Sequence, residues 1–224
     1  MTLPTRIGLA VGAVLALVVA TLAFLALTDS PEPRATVEVA EGPSELVRDD
    51  SRVLGEPGST GVTFVEFLDF ECEACRATYP VVEQLRDVYG DRVTFVLRYL
   101  PLPGHVNAER AARAVESAAL QGELEAMYSL MYETQVDWGE SREPADALFR
   151  TYAEQLGLDL ERYDADYASP EVAARVQRDV DDALRLGVTS TPTFYVDGEL
   201  VQPRTVGDLV DPLEAALERA GAAG

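Results

Sequence analysis

The chain has 224 residues, of which 47% are hydrophobic, and its formal net charge is -21. The length allows one sizeable domain with a short appendage, and the composition argues against a disordered or repeat protein. The strong negative charge argues against nucleic acid and anionic lipid headgroups as partners, because both would repel an acidic surface.

The first predicted element is a transmembrane helix. Residues 7–28 form an uncharged run, long enough to cross the roughly 30 Å hydrocarbon layer of a bilayer. A cleaved signal peptide has a shorter apolar core, about 7 to 15 residues, so we interpret residues 1–29 as a cytoplasmic N-terminus followed by an uncleaved anchor. Arg6 precedes the run and Asp29 follows it. This charge order predicts a single-pass protein of the cell membrane with an extracytoplasmic domain.

The extracytoplasmic part is predicted to begin with a linker at 30–45, which mixes Pro, Glu, Ala and Gly without a period. A domain over 46–224 follows. Its first strong elements are an apolar strand over 62–70, a helix over 75–89 and a second apolar strand over 93–99. A strand-helix-strand order predicts parallel pairing through a right-handed crossover.

The rest of the domain is predicted to be mainly helical before the chain returns to strand. Residues 106–186 show helical spacing of apolar side chains and enough breaks for four or five helices. Asp197-Gly198 predicts a hairpin turn between strands at 193–196 and 199–201. A closing helix is predicted over 208–220, so the fold class is α/β with a helical insertion between the strands.

Both cysteines of the chain lie in a Cys-Glu-Ala-Cys motif at 72–75, where the first strand leads into the first helix. A disulfide between them closes a very short loop and stabilises the fold little, which favours redox chemistry. The helix N-terminus favours a thiolate at Cys72, with a pKa of roughly 3.5 to 7. We therefore predict that Cys72 is the attacking and attacked sulfur and that Cys75, one turn further and more buried, is its resolving partner.

A metal site is the alternative use of this thiol pair. A zinc site needs about four ligands, and His105 is the single histidine that could join the two sulfurs. With only carboxylates left to complete the set, this ligand count disfavours a metal site, and a copper or zinc carrier is kept as the alternative from a different functional class. The main prediction includes no metal and no cofactor beyond the redox-active disulfide Cys72-Cys75.

Four short motifs follow one another along the domain, at residues 67–75, 100–105, 121–122 and 187–194. In this order they resemble the DsbA-type thiol-disulfide oxidoreductases of the thioredoxin superfamily. The resemblance implies a thioredoxin fold with an inserted helical domain. It also implies that Cys72 is the exposed nucleophile, and that Thr191 and Pro192 form a cis-proline loop beside the disulfide. There the Thr191 backbone would pair with a bound peptide as an added strand.

The resemblance also matches Glu66 with a buried acid. Burial would raise its pKa and make it a candidate acceptor for the proton of Cys75. The alternative is that Glu66 reaches solvent at a strand edge, in which case Asp69 is the substitute acid. We interpret His105 as a loop residue before the next helix, because a thiolate stabilised by its own helix needs no base.

These observations predict an extracytoplasmic thiol oxidase that acts on exported cysteine-containing proteins through a Cys72-substrate mixed disulfide. The resemblance implies a membrane quinone-linked reoxidase as a second partner. Glu73, beside Cys72, disfavours the thiolate and raises its pKa, so a reductase of the same fold stays open. Substrate selection is expected to come from an apolar surface around Cys72 and the Thr191-Pro192 loop.

Overall fold

A computed structural model describes residues 46–222. The predicted anchor at 1–29 and the predicted linker at 30–45 lie outside these residues. Within residues 46–222, no helix combines the length and the apolar character needed to cross a bilayer.

Five strands form one mixed sheet. They are β1 (Arg52–Leu54), β2 (Val62–Leu68), β3 (Val93–Tyr99), β4 (Thr193–Val196) and β5 (Glu199–Val201). Their order across the sheet is β1-β3-β2-β4-β5. Strands β2 and β3 are parallel, with Val62 opposite Val93 and Leu68 opposite Tyr99, which confirms the predicted pairing. The other three pairs are antiparallel.

Strands β2 and β3 are central because their sequences are apolar on both faces. Alternate side chains point to opposite sides of a strand, and here Phe64 and Phe95 pack into one buried cluster while Val65 and Val96 pack into another. Such continuous apolar strands are typical of sheets covered on both sides by helices.

Helices cover the sheet and fill the insertion. They are α1 (Glu73–Tyr89), α2 (Ala108–Ala119), α3 (Leu124–Glu133), α4 (Gln135–Trp138), α5 (Asp146–Gln155), α6 (Leu160–Ala168), α7 (Pro170–Arg185) and α8 (Gly207–Ala222). Six of them lie between β3 and β4, whereas the sequence predicted four or five. The additional element is the single turn α4, which follows a break where the Thr134 hydroxyl donates to the Leu130 carbonyl at 2.7 Å.

The hairpin and the strand register bring the two predicted site segments together. Asp197 and Gly198 both have positive φ, 50° and 87°, as a two-residue hairpin turn requires, so this prediction is confirmed. Strand β4 runs antiparallel to β2 with Thr193 opposite Phe67. The start of β4 therefore lies at the end of β2, where the chain enters the Cys72–Cys75 motif.

Candidate active site

Cys72 is the N-cap residue of α1, as the sequence predicted, and its backbone is extended at φ -71° and ψ 121°. Its sulfur lies 3.5 Å from the carbonyl oxygen of Thr191. Cys75 lies in the first turn of α1 and is fully buried. Cys72 is itself only 9% exposed, so the expectation that it is an exposed residue is wrong, although it lines a cleft. Both cysteines are free thiols, so the structure describes the dithiol form of the pair.

The two thiols differ strongly in acidity. A hydrogen bond from the Cys75 thiol is the main cause that lowers the pKa of Cys72 from 9.0 to about 5. The Thr191 side chain and the backbone N-H groups of Cys75 and Ala74 lower it further, against the opposing effect of burial. Burial raises the pKa of Cys75 well above 9.0, and the hydrogen bond to Cys72 and the charge of Glu66 raise it further. At neutral pH, Cys72 is therefore a thiolate and Cys75 keeps its proton.

Glu73 does not prevent this difference in pKa between the two thiols. From the sequence we expected the Glu73 carboxylate to raise the pKa of Cys72. In the structure, Glu73 is exposed in the first turn of α1. Solvent screens an exposed charge, whereas the hydrogen bonds to the Cys72 sulfur act at contact distance. The pKa of about 5 shows that these bonds outweigh Glu73.

The Thr191-Pro192 peptide bond is cis, which confirms the predicted isomer. Both residues are half-buried, and the Thr191 carbonyl lies beside the Cys72 sulfur. The structure therefore brings the loop and the reactive cysteine together. The pairing of the Thr191 backbone with a substrate peptide stays a prediction.

Glu66 is buried, with 4% of its surface exposed. It lies on the central strand β2, between Leu97 of β3 and Phe194 of β4, so the alternative in which it reaches solvent at a strand edge is wrong. Burial, with smaller effects from the charges of Glu83 and Cys72, raises the pKa of Glu66 to about 8. Its proposed exchange of a proton with Cys75 stays a prediction.

Asp69, the substitute acid, is buried but already engaged. One carboxylate oxygen accepts the backbone N-H of Glu71 at 2.8 Å. The other accepts the backbone N-H of Leu102 at 2.9 Å and lies 2.6 Å from Nδ1 of His105. Both oxygens therefore have partners, which makes Asp69 a poorer proton acceptor for Cys75 than Glu66.

Two further side chains of the site were not found from the sequence. The side-chain amide of Gln135, on α4, donates to the carbonyl oxygens of Phe70 and Cys72 at 2.7 and 3.0 Å. Glu71 is buried, and its carboxylate accepts the backbone N-H of Asn107 at 2.5 Å. Nothing in the local sequence pattern indicates either contact, since the partners are 36 to 65 positions apart.

A cleft of about 710 Å³ opens beside Cys72. Its lining includes Glu73, His105, Val106, Glu140 and Arg142. Four of these five side chains are charged or ionisable, so this side of Cys72 is not the apolar surface that we expected from the sequence. His105 is a loop residue before the next helix, as the sequence predicted, and the structure adds that it lines this cleft with Cys72.

No group of three or more His, Cys, Asp or Glu side chains within residues 46–222 is arranged to hold a metal ion. The groups that the site brings together are a stabilised thiolate at the cleft, a buried protonated thiol and a buried carboxyl group whose charge acts on both.

Comparison with known proteins gives the same picture of the fold. A sequence model of the family described as thioredoxin matches residues 48–215. The crystal structure of a thioredoxin-like oxidoreductase from Silicibacter pomeroyi has a TM-score of 0.66 at 30% identity, covering 79% of this chain and 98% of that one. The structure of the oxidoreductase DsbA from Xylella fastidiosa has a TM-score of 0.62 at 21% identity, covering 79% and 97%. At that identity, this likeness shows the fold alone.

Curated relatives carry another name. The Na(+)/H(+) antiporter NhaA 3 of Salinispora tropica is 38% identical over 177 residues, which are 77% of this chain and 26% of that protein. The chain spans about a quarter of the length of the first such relatives. The antiporter name therefore describes proteins of which this chain resembles only one part.

Proposed function

Because this chain belongs to the thioredoxin family, we propose that it is a thiol-disulfide oxidoreductase that oxidises cysteine pairs in exported proteins. The observation that carries the proposal is that the pKa of one thiol of the pair is lowered while the pKa of the other is raised. Cys72 is acidic and lies at a cleft, while Cys75 is buried and keeps its proton. Cys72 is itself only 9% exposed and Cys75 is not exposed at all, so Cys72, which lines the cleft, is the member of the pair suited to meet a substrate.

The reaction begins with the pair in its disulfide form. A substrate thiolate attacks the Cys72 sulfur, the Cys72-Cys75 bond breaks, and Cys75 leaves as a thiolate. Because the pKa of Cys75 is raised, this thiolate takes up a proton, and Glu66, with a pKa of about 8, is the proposed donor. A second substrate thiolate then attacks the substrate sulfur of the mixed disulfide and releases Cys72 as a thiolate. Two electrons have passed from the substrate to the cysteine pair.

The proposed direction is supported by the stability of the released thiolate. A thiol of low pKa is a better leaving group, and an enzyme whose reduced form is stabilised is a stronger oxidant. A pKa of about 5 means that the Cys72 thiolate is stable at neutral pH. This supports oxidation of substrates over the reductase alternative.

Location and partners form part of the same proposal. The apolar run at 7–28 supports a membrane anchor with the thiol pair on the extracytoplasmic side. There the enzyme would meet exported cysteine-containing proteins, and a membrane quinone-linked reoxidase would restore the disulfide.

A redox titration of the Cys72-Cys75 couple against glutathione tests the direction. We expect a reduction potential well above that of thioredoxin, which is about -270 mV, and towards that of DsbA, about -120 mV. A measured value near the thioredoxin end would assign the chain to the reductase alternative.

A trapping experiment tests the mechanism. In the Cys75→Ser variant, the Cys72 thiolate can attack a disulfide of an already oxidised substrate protein and release one substrate thiolate. Because the resolving sulfur is absent, the resulting mixed disulfides are expected to accumulate in cells. The matched control replaces Cys72 as well. If the single variant yields no more adducts than the double variant, Cys72 is not the sulfur that meets the substrate.

A further inference from the structure

His105 is held in a fixed position in the cleft that Cys72 also lines. It lines the same cleft as Cys72, and it is the single histidine of the chain. Its Nδ1 lies 2.6 Å from Oδ2 of Asp69, whose side chain is fully buried, while the His105 side chain is 34% exposed. The imidazole therefore has one anchored edge and one edge towards solvent.

The contact with Asp69 determines the orientation and the protonation of the His105 ring. Oδ2 of Asp69 already accepts the backbone N-H of Leu102, so we assign Nδ1 of His105 as a second donor to this oxygen, and Nε2 is the nitrogen left for a neighbouring group. The backbone N-H groups of Glu71 and Leu102 hold the same carboxylate in place. A carboxylate fixed in this way both orients the imidazole and favours its protonated form.

We propose that His105, as an imidazolium held by Asp69, is the charge partner of the Cys72 thiolate and makes the cysteine pair a stronger oxidant. This inference rests on the proposed function. In the second exchange step, the Cys72 thiolate is the leaving group, and a positive charge in the same cleft stabilises it as it forms. His105 forms no covalent bond and transfers no proton in this step, so Asp69 acts only as a positioning residue.

Several other charged side chains face His105 and affect its pKa. Asp69 and Glu71 come from the segment between β2 and α1, and Glu73 lies in the first turn of α1. Glu140 and Arg142, from the segment between α4 and α5, line the same cleft. Burial lowers the pKa of His105, but the hydrogen bond and charge of Asp69, with the charges of Glu71 and Cys72, outweigh it and raise the pKa above 6.5.

Reduction of the Cys72-Cys75 disulfide should favour protonation of His105, and protonation of His105 should favour reduction of the disulfide. Breaking the disulfide creates a negative charge on Cys72, which attracts the imidazolium. Linkage requires that the effect be equal in both directions. The pKa of His105 should therefore be higher in the dithiol form than in the disulfide form, and the reduction potential should vary with pH as His105 titrates.

The single histidine makes this measurable by NMR, because the imidazole proton signals of the untagged chain need no assignment. We expect the His105 pKa to be higher in the reduced protein than in the oxidised protein. Equal values in the two forms would overturn the proposal, and this measurement needs no variant.

A variant supplies the second measurement. In His105→Gln, the pKa of Cys72, followed by the pH dependence of its alkylation, is expected to rise. The oxidising equilibrium constant against glutathione is expected to fall by up to about tenfold, which corresponds to about 30 mV. In Asp69→Asn, the His105 pKa should fall, because the charge and hydrogen bond that raise it are lost.

Arg142→Gln is the matched control, because it removes another cation from the lining of the same cleft. If it shifts the Cys72 pKa as much as His105→Gln does, the effect belongs to the cleft as a whole and the proposal fails. Alkylation requires no substrate protein. Failure of the proposed oxidase activity would therefore leave these shifts intact, whereas failure of this inference would abolish them while exchange continues.

Discussion

Replacing Glu66 by glutamine should make the protein more stable at neutral and alkaline pH. Glu66 is buried on the central strand, and its pKa in the folded chain is about 8, compared with an ordinary value of 4.5. Burial is the main cause, because a buried carboxylate loses its hydration. The glutamine side chain has nearly the same shape and cannot ionise.

The sign follows from the two pKa values. Below pH 4.5 the carboxyl group is protonated in both the folded and the unfolded chain, and its ionisation costs nothing. Between pH 4.5 and about 8 only the unfolded chain loses the proton, so the free energy of unfolding falls as the pH rises. The two values differ by about 3.5, and at about 1.36 kcal/mol per pKa unit the loss is on the order of 5 kcal/mol at pH 8.

Urea unfolding of the reduced wild type and of Glu66→Gln, measured from pH 4 to pH 8.5, tests this expectation. The variant should gain stability relative to the wild type progressively above pH 4.5, whatever the constant cost of burying an amide. Glu199→Gln is the matched control, since Glu199 is exposed on the edge strand β5 of the same sheet. That control should show no comparable change with pH.

The refuting result is a stability difference between wild type and Glu66→Gln that is the same at pH 5 and at pH 8. It would mean that Glu66 ionises in the folded protein as readily as in the unfolded chain. The assignment of Glu66 as the group that exchanges a proton with Cys75 would then lose its physical basis. A smaller effect in the disulfide form is expected, because the negative charge of Cys72, which helps to raise the Glu66 pKa, is then absent.

Two further results are expected. Iodoacetamide should modify Cys72 of the reduced protein with a midpoint near pH 5, while Cys75 should stay unreactive until well above pH 9.0, as mass spectrometry of the digested protein would show. Arg98→Met should destabilise the fold by about 3 kcal/mol in urea unfolding, the lower end for a broken buried pair. The buried carboxylates of Asp179 and Asp182 lose the guanidinium that pairs with both, while Arg175 still pairs with the first and Arg48 and Arg185 with the second.

Each of these has its own control. Cys72→Ser removes the acidic step from the alkylation profile, and a midpoint near pH 9 in the wild type would contradict the acidity assigned to Cys72. Arg150→Met breaks the exposed pair with Asp164 and should cost less than about 1 kcal/mol. Equal effects of the Arg98 and Arg150 variants would show that the buried network does not contribute as described.

Local patterns in the sequence were sufficient for most of the elements near the site. The apolar runs predicted β2 and β3 because burial on both faces demands continuous hydrophobicity. The Asp197-Gly198 pair predicted the hairpin because a two-residue turn needs positive φ at both positions. The single turn α4 was missed, since four residues carry too little periodicity to be recognised.

The sequence by itself determined the kind of chemistry: two cysteines, two residues apart, at the start of a helix. A helix N-terminus favours a thiolate wherever it occurs, so the assignment of Cys72 and Cys75 needed no distant contact. Tertiary structure alone decided which other groups surround that thiolate. His105 meets Asp69 from 36 positions away, and Thr191 reaches the Cys72 sulfur from 119 positions away. Electrostatic interaction depends on distance in space and on burial, and neither can be deduced from residues so far apart along the chain.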